Sequence, residues 1–169
     1  DGGVDVIEHM YMASEQDVER LAASRCVVDL TSGIFLDPSR EEFLSPANAL
    51  KVRLNRSRVR ENVARIIKAR LPFVLGTDAY HGFLYREVGY AVELGADPVT
   101  AIQGVTSRAA RVCRLEDRIG KLENGMEADI IAVEGNPLED VSRLSQVGLV
   151  MKGGPDIQNV LTAVLDVQY

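Results

Sequence analysis

His9 and Asp78 are the side chains of this sequence best placed to do chemistry. His9 follows directly on the apolar run Val4–Glu8 (VDVIE), and Asp78 follows Phe73–Gly76 (FVLG) after Thr77. An imidazole and a carboxylate can bind a catalytic divalent metal together, or act as a base and its orienting partner. His81, on the same stretch as Asp78 and next to Gly82, is a third candidate. Each has a plain structural alternative. A histidine after a strand can be held by hydrogen bonds alone, an aspartate there can cap a helix or form a turn, and His81 can be a turn residue. Two or three such donors do not complete a catalytic zinc site, which usually has three protein ligands and an open position. Other chemistries lack their motifs. No G-x-G-x-x-G or G-x-x-x-x-G-K-[ST] phosphate loop is present, and Ser32–Gly33 is not the G-x-S-x-G of a nucleophile elbow.

These groups need elements to position them. Val4–Glu8, Cys26–Leu30 (CVVDL) and Phe73–Gly76 are short, apolar and too brief for helices, so they read as strands. Ser14 and Asp17 fit a capping box, followed by Val18, Leu21 and Ala22 at helical spacing. Thr31 to Pro46 contains Gly33, Pro38 and Pro46 and reads as a long loop with one helical turn at Arg40–Phe43. A long helix is expected from Ala49 to Arg70, with Val59, Val63, Ile66 and Ile67 forming one buried stripe. Further helices are expected over Tyr85–Leu94, after the Asp97–Pro98 cap, and from a Thr106 or Ser107 cap to Val112. Asp129–Val133 and Val147–Met151 read as strands between turn signals.

Strands alternating with helices imply parallel pairing with right-handed crossovers, hence an α/β fold. In such folds ligands sit at the carboxyl ends of the strands, which puts His9 and Asp78 on one rim. A boundary near Leu115–Gly120 separates this α/β part from a β-rich remainder.

Composition narrows the classes. The 169 residues suit about one domain, and 46% hydrophobic with 26% charged residues excludes disorder and low complexity. No apolar run approaches the ~18 residues of a membrane span. A net charge of −6 argues against nucleic acid as a partner. Eight basic residues between Lys51 and Arg70 face one acid, Glu61, without interleaved aromatics. They read as a solvated face paired with acids elsewhere. Cys26 and Cys113 form no disulfide or zinc pattern.

Several segments together resemble a known family. IEH at Ile7–His9, GTDA at Gly76–Ala79, TSRAARV at Thr106–Val112, GKLENGMEADIIAVEGNPLED at Gly120–Asp140 and VMKGG at Val150–Gly154 look like the metal-dependent amidohydrolase superfamily. The likeness is strongest to its imidazolonepropionase-like and prolidase-like (Xaa-Pro dipeptidase) branches. It implies the C-terminal part of a (β/α)8 TIM-like barrel, about the last three βα units, followed by strands of a small β-sandwich. On that reading residues 1–115 are partial barrel, 116–154 part of the sandwich, and 155–169 a tail of unknown role. The resemblance makes His9 the metal-binding histidine after the sixth strand. It makes Asp78 the metal ligand and general base after the eighth, and it gives Tyr11 and His81 substrate-binding roles. One or two divalent ions, zinc by expectation, would activate water against an amide or peptide C–N bond.

The departures also count. The family's first-strand HxH pair, its bridging carboxylated lysine and its fifth-strand histidine have no counterpart here. A barrel of this type takes ~250 residues, so this chain alone is expected to be inactive and to need an N-terminal half, or to associate with itself at an open sheet edge. A small molecule or dipeptide is the expected substrate, with no membrane partner. A cytoplasmic setting is favoured, though the sequence fixes no compartment. Two other readings stand beside this one: a non-catalytic half-barrel that binds or interacts, and a small signalling-type α/β domain built around Asp78.

Overall fold

The computed structural model describes residues 2–78 and 81–157, with backbone alone at residue 81. The expected GTDA motif is therefore described only through Asp78, and most of the 155–169 tail lies outside the described residues.

Three short parallel strands, β1 (Val6–Glu8), β2 (Val27–Leu30) and β3 (Phe73–Leu75), form a sheet in that order. Val6 pairs with Val27, Val28 with Phe73, and Leu30 with Leu75. Side chains alternate faces along a strand. Val28 and Leu30 are fully buried in the main apolar core, which also holds Phe73 and Leu75. The opposite face carries Glu8 beside Asp29, neighbours in the register.

Helix α1 (Glu15–Ala22) links β1 to β2. Its Ser14–Asp17 capping box is formed, with the Ser14 amide donating to Asp17 at 2.9 Å. Helix α3 (Pro46–Lys68) links β2 to β3 and buries Val59, Val63, Ile66 and Ile67 as the stripe requires. It begins three residues before the expected start. Ser45 is the N-cap, accepting from the Asn48 amide, and Pro46 occupies the first turn, where a missing N–H costs nothing. The basic face of α3 finds acids: Arg53 and Arg56 both reach Glu41, and Arg60 reaches Glu93.

The segment expected to be a long loop is instead ordered structure. Helix α2 (Gly33–Leu36) and a 3-10 turn over Pro38–Phe43 fill it, and Arg40 is completely buried. The reason is a polar core invisible to hydrophobic patterning. Glu87, on helix α4 (Leu84–Glu93) and also fully buried, accepts the Gly33 N–H through both oxygens, at 2.9 and 3.0 Å. Its carboxylate stands 3.2 Å from the Arg40 guanidinium. Asp37 accepts from the Ser39 amide and from Arg86, which tethers the same segment to α4. Burial pushes Glu87 up to about 7, while Gly33 and Arg40 pull the other way.

Gly33 must be glycine for steric reasons. A Cβ built there would lie 2.2 Å from Glu87 Oε1 and 2.6 Å from Arg40 Nη2. Gly33→Ala is accordingly expected to cost about 3 kcal/mol, the upper end for overpacking a core. The urea midpoint measures it, with an unchanged slope showing that two-state unfolding persists.

Two helices complete this part, α5 (Pro98–Gly104), capped by Asp97, and α6 (Ser107–Val112). Thr106 precedes α6 without making a side-chain cap. Its hydroxyl donates back to the Ile102 carbonyl at 2.8 Å, which spends the group the expected cap needed. Beyond them β4 (Ile130–Val133) and β5 (Val147–Met151) pair antiparallel, with a bulge between Ala132 and Val133. Val141 and Leu144, between these strands, pack against the main core.

Candidate active site

The carboxyl ends of the three strands converge on one cluster. His9 is the first residue beyond β1, and its backbone N–H donates to the Asp29 carbonyl at 2.8 Å. It takes a left-handed backbone, φ 71°, as do Met10 at 54° and Asp78 at 60°. Such conformations are costly for side-chain-bearing residues and persist where surrounding structure holds them. Here the strain turns the chain sharply as it leaves the first and third strands.

Asp29 lies between them. Its carboxyl is pushed up to about 6, chiefly by burial, then by the neighbouring Glu8 and by Asp78, while His9 pulls it down. His9 and Asp78 lie beyond the carboxyl ends of parallel strands β1 and β3, which puts them on one rim of the sheet. Asp29 Oδ1 is buried without a hydrogen-bond partner. Gly76 makes room for this carboxylate, since a Cβ there would sit 3.2 Å from Asp29 Oδ1 and 3.3 Å from the Thr31 methyl.

Thr31, buried just past β2, joins His9 to Tyr11. His9 Nδ1 lies 2.7 Å from Thr31 Oγ1, and the Tyr11 hydroxyl donates to the Thr31 carbonyl at 2.6 Å while also meeting Oγ1. The His9 and Tyr11 rings stack at 5.3 Å, and Phe35 meets Tyr11 edge-on at 4.7 Å. Asn62 of α3 donates to the Tyr11 carbonyl at 2.6 Å. Burial raises the Tyr11 phenol above its ordinary value, which favours its protonated form. The hydroxyl's contacts both go to Thr31, leaving a ring rather than a hydrogen-bonding tip to meet a ligand.

Of the sequence candidates, His9, Tyr11 and Asp78 therefore share one rim. The 3-10 turn His81–Phe83 follows Asp78 closely in the chain, and the His81 side chain lies outside the described residues. Asp29 and Thr31 belong to the same cluster and escape a reading that stops at the first and third strands. The signal for them is an acid inside the otherwise apolar CVVDL strand and a hydroxyl immediately after it.

The donor set is tested by its own chemistry. An imidazole and an exposed carboxylate are donor types that suit a borderline divalent cation. The set is incomplete, since among the described residues no three His, Cys, Asp or Glu side chains could hold a metal ion together.

Comparison with known proteins places this rim in context. The chain is 33% identical over 165 residues to ochratoxinase of Aspergillus niger, covering 90% of this chain and 33% of that enzyme. It is 30% identical over 131 residues to imidazolonepropionase of Erwinia tasmaniensis, covering 73% and 28%. The fold superposes on a Xaa-Pro dipeptidase crystallised with methionine in its active site, with TM-score 0.79 and 30% identity, over 91% of this chain and 40% of that one. It also superposes on crystalline A. niger ochratoxinase, with TM-score 0.75 and 29% identity, over 92% and 37%. The chain thus spans about a third of the length of the curated relatives it matches. The model of the amidohydrolase family matches residues 3–155, and on that match over nearly all its length the chain belongs to the amidohydrolase family.

Proposed function

We propose that this chain is the C-terminal portion of a metal-dependent hydrolase that cleaves an amide or peptide C–N bond. On this reading β1 to β3 are the last three strands of a (β/α)8 barrel over residues 1–115. Residues 116–154, with β4 and β5, are part of a small β-sandwich, and 155–169 form a tail. The observation that carries the reading is the parallel order β1-β2-β3, which puts His9 and Asp78 beyond the carboxyl ends of the first and third strands, on one rim of the sheet.

His9 and Asp78 would hold the divalent ion, with zinc the expected metal. When bound, the ion lowers the pKa of a water and polarises the scissile carbonyl. Asp78, exposed on the rim, takes the water's proton and passes it to the leaving nitrogen. The stacked His9 and Tyr11 rings wall one side of the site. Tyr11 and His81 are assigned to binding the acyl or amino portion of a substrate, as the family resemblance implies. A dipeptide bond fits one of the relatives, a Xaa-Pro dipeptidase.

Because two donors do not complete a catalytic site, the 169-residue chain by itself is expected to show no zinc-dependent hydrolysis. A protein carrying this segment at the full length of its relatives is expected to hydrolyse Xaa–Pro dipeptides or N-acyl amino acids, and to lose that activity to a chelator. Turnover by the isolated chain would contradict the account of incompleteness. Zinc binding by the full-length protein, with no amide hydrolysis across that panel, would favour a binding module instead.

A further inference from the structure

The protons around Thr31 decide which nitrogen of His9 is available. Three contacts meet there: Tyr11 Oη to the Thr31 carbonyl at 2.6 Å, Tyr11 Oη to Thr31 Oγ1, and His9 Nδ1 to Thr31 Oγ1 at 2.7 Å. The first must contain the phenol proton, because a carbonyl oxygen has none to give. Without that proton, two lone-pair shells would face each other at hydrogen-bond distance.

With the phenol proton committed to the carbonyl alone, the contact between Tyr11 Oη and Thr31 Oγ1 uses the threonine proton. A hydroxyl has one proton. Toward His9, Thr31 Oγ1 can then only accept, so Nδ1 is the donor. The reverse arrangement has threonine donating to Nδ1 and the phenol proton split between the carbonyl and Oγ1 in a weaker three-centre bond. The first arrangement gives each of the three contacts its own proton.

We propose that Thr31, its proton engaged by Tyr11, is a positioning residue that holds His9 as the Nδ1–H tautomer and presents the Nε2 lone pair to a metal ion. The proposal deepens the reading of His9 as a ligand and rests on it. Surrounding structure makes the arrangement rigid. Thr31 is 3% exposed, Asn62 holds the Tyr11 backbone, and Phe35 closes on the Tyr11 ring. A second group that fixes ring orientation and tautomer is a general requirement of histidine ligands. Here an uncharged hydroxyl fills that place.

Long-range proton–nitrogen spectra of the metal-free protein, labelled at its two histidines and recorded above the imidazole titration, read the tautomer directly. A His81→Gln variant assigns the signals. The expected result is an Nδ1–H His9. In Thr31→Val, which keeps the shape and removes the hydroxyl, the ring should revert towards the Nε2–H form, whereas Thr31→Ser should retain Nδ1–H. In a protein carrying this segment at the full length of its relatives, zinc affinity, measured by competition with a chromogenic chelator, should fall about 10–100-fold in Thr31→Val and recover in Thr31→Ser.

An Nε2–H His9 in the wild-type protein overturns the proposal without reference to any variant. So does a tautomer that Thr31→Val leaves unchanged in a protein with native circular dichroism. If the tautomer responds as described but neither Thr31→Val nor His9→Ala alters zinc binding, the hydrogen-bond lock survives as structure. The assignment of His9 as a ligand, and with it the metal role of Thr31, is then wrong.

Discussion

Asp78→Asn in the full-length hydrolase is expected to lower kcat by about 10²–10⁴-fold, the usual weight of a positioned general base, with KM little changed. Asparagine keeps the size of aspartate and, better than most residues, tolerates the left-handed backbone of φ 60° found at this position. The fold should therefore survive, and the loss should report lost chemistry. Asp78→Ala adds backbone strain to the same chemical loss, so comparing the two separates these effects. A rise in KM at constant kcat would instead assign Asp78 to substrate binding. Steady-state kinetics on one amide substrate, with zinc content measured on each preparation, distinguishes these outcomes.

Glu87→Ala is expected to cost about 3–5 kcal/mol of stability, the range found when one partner of a buried ion pair is removed. The substitution takes an acceptor from the Gly33 N–H and a polar partner from the fully buried Arg40. Replacing both charged partners, as Arg40→Met with Glu87→Leu, should recover part of the loss, because apolar packing dispenses with both desolvation costs. The pH dependence has a defined sign. Burial raises the Glu87 carboxyl from its ordinary 4.5 to about 7. The unfolded chain therefore releases this proton first, and the neutral form favours the fold. This group's contribution is complete below about pH 4.5 and declines as pH rises through 7. The gap between wild type and Glu87→Ala should accordingly narrow over that window. Urea midpoints at pH 5 and pH 8 would show it, and a gap that widens with pH would contradict the assignment.

Much of this architecture is legible in the sequence, because it rests on patterns that local physics dictates. Val59, Val63, Ile66 and Ile67 declare one face of α3, and Ser14–Asp17 and Asp97–Pro98 declare helix starts. His9 and Asp78 are legible for another reason: parallel topology brings any polar residue just beyond a strand end to the same rim. The 31–46 segment is not legible. Its order comes from Arg40, Asp37, Glu87 and Arg86 meeting across about fifty residues of sequence, and charged residues between prolines look like solvated loop. Asp29 is hidden similarly. One acid in an apolar strand acquires meaning only when the register places Glu8 beside it. Thr31 requires more still, since its role depends on where the Tyr11 hydroxyl ends.

The network also ties stability to the site. Gly33 follows Thr31 by two residues, so the Glu87 carboxylate that anchors Gly33 also fixes the start of the segment on which His9 leans. Residues remote from the rim can in this way set the orientation of the His9 ring.

Anomalous diffraction at the zinc edge, from crystals of the zinc-loaded full-length protein, tests the central claim most directly. The account predicts a peak about 2.0–2.2 Å from both His9 Nε2 and an Asp78 carboxylate oxygen, the span of ordinary zinc bonds. A peak bound through His9 Nδ1, or an ion that engages neither His9 nor Asp78, would contradict it.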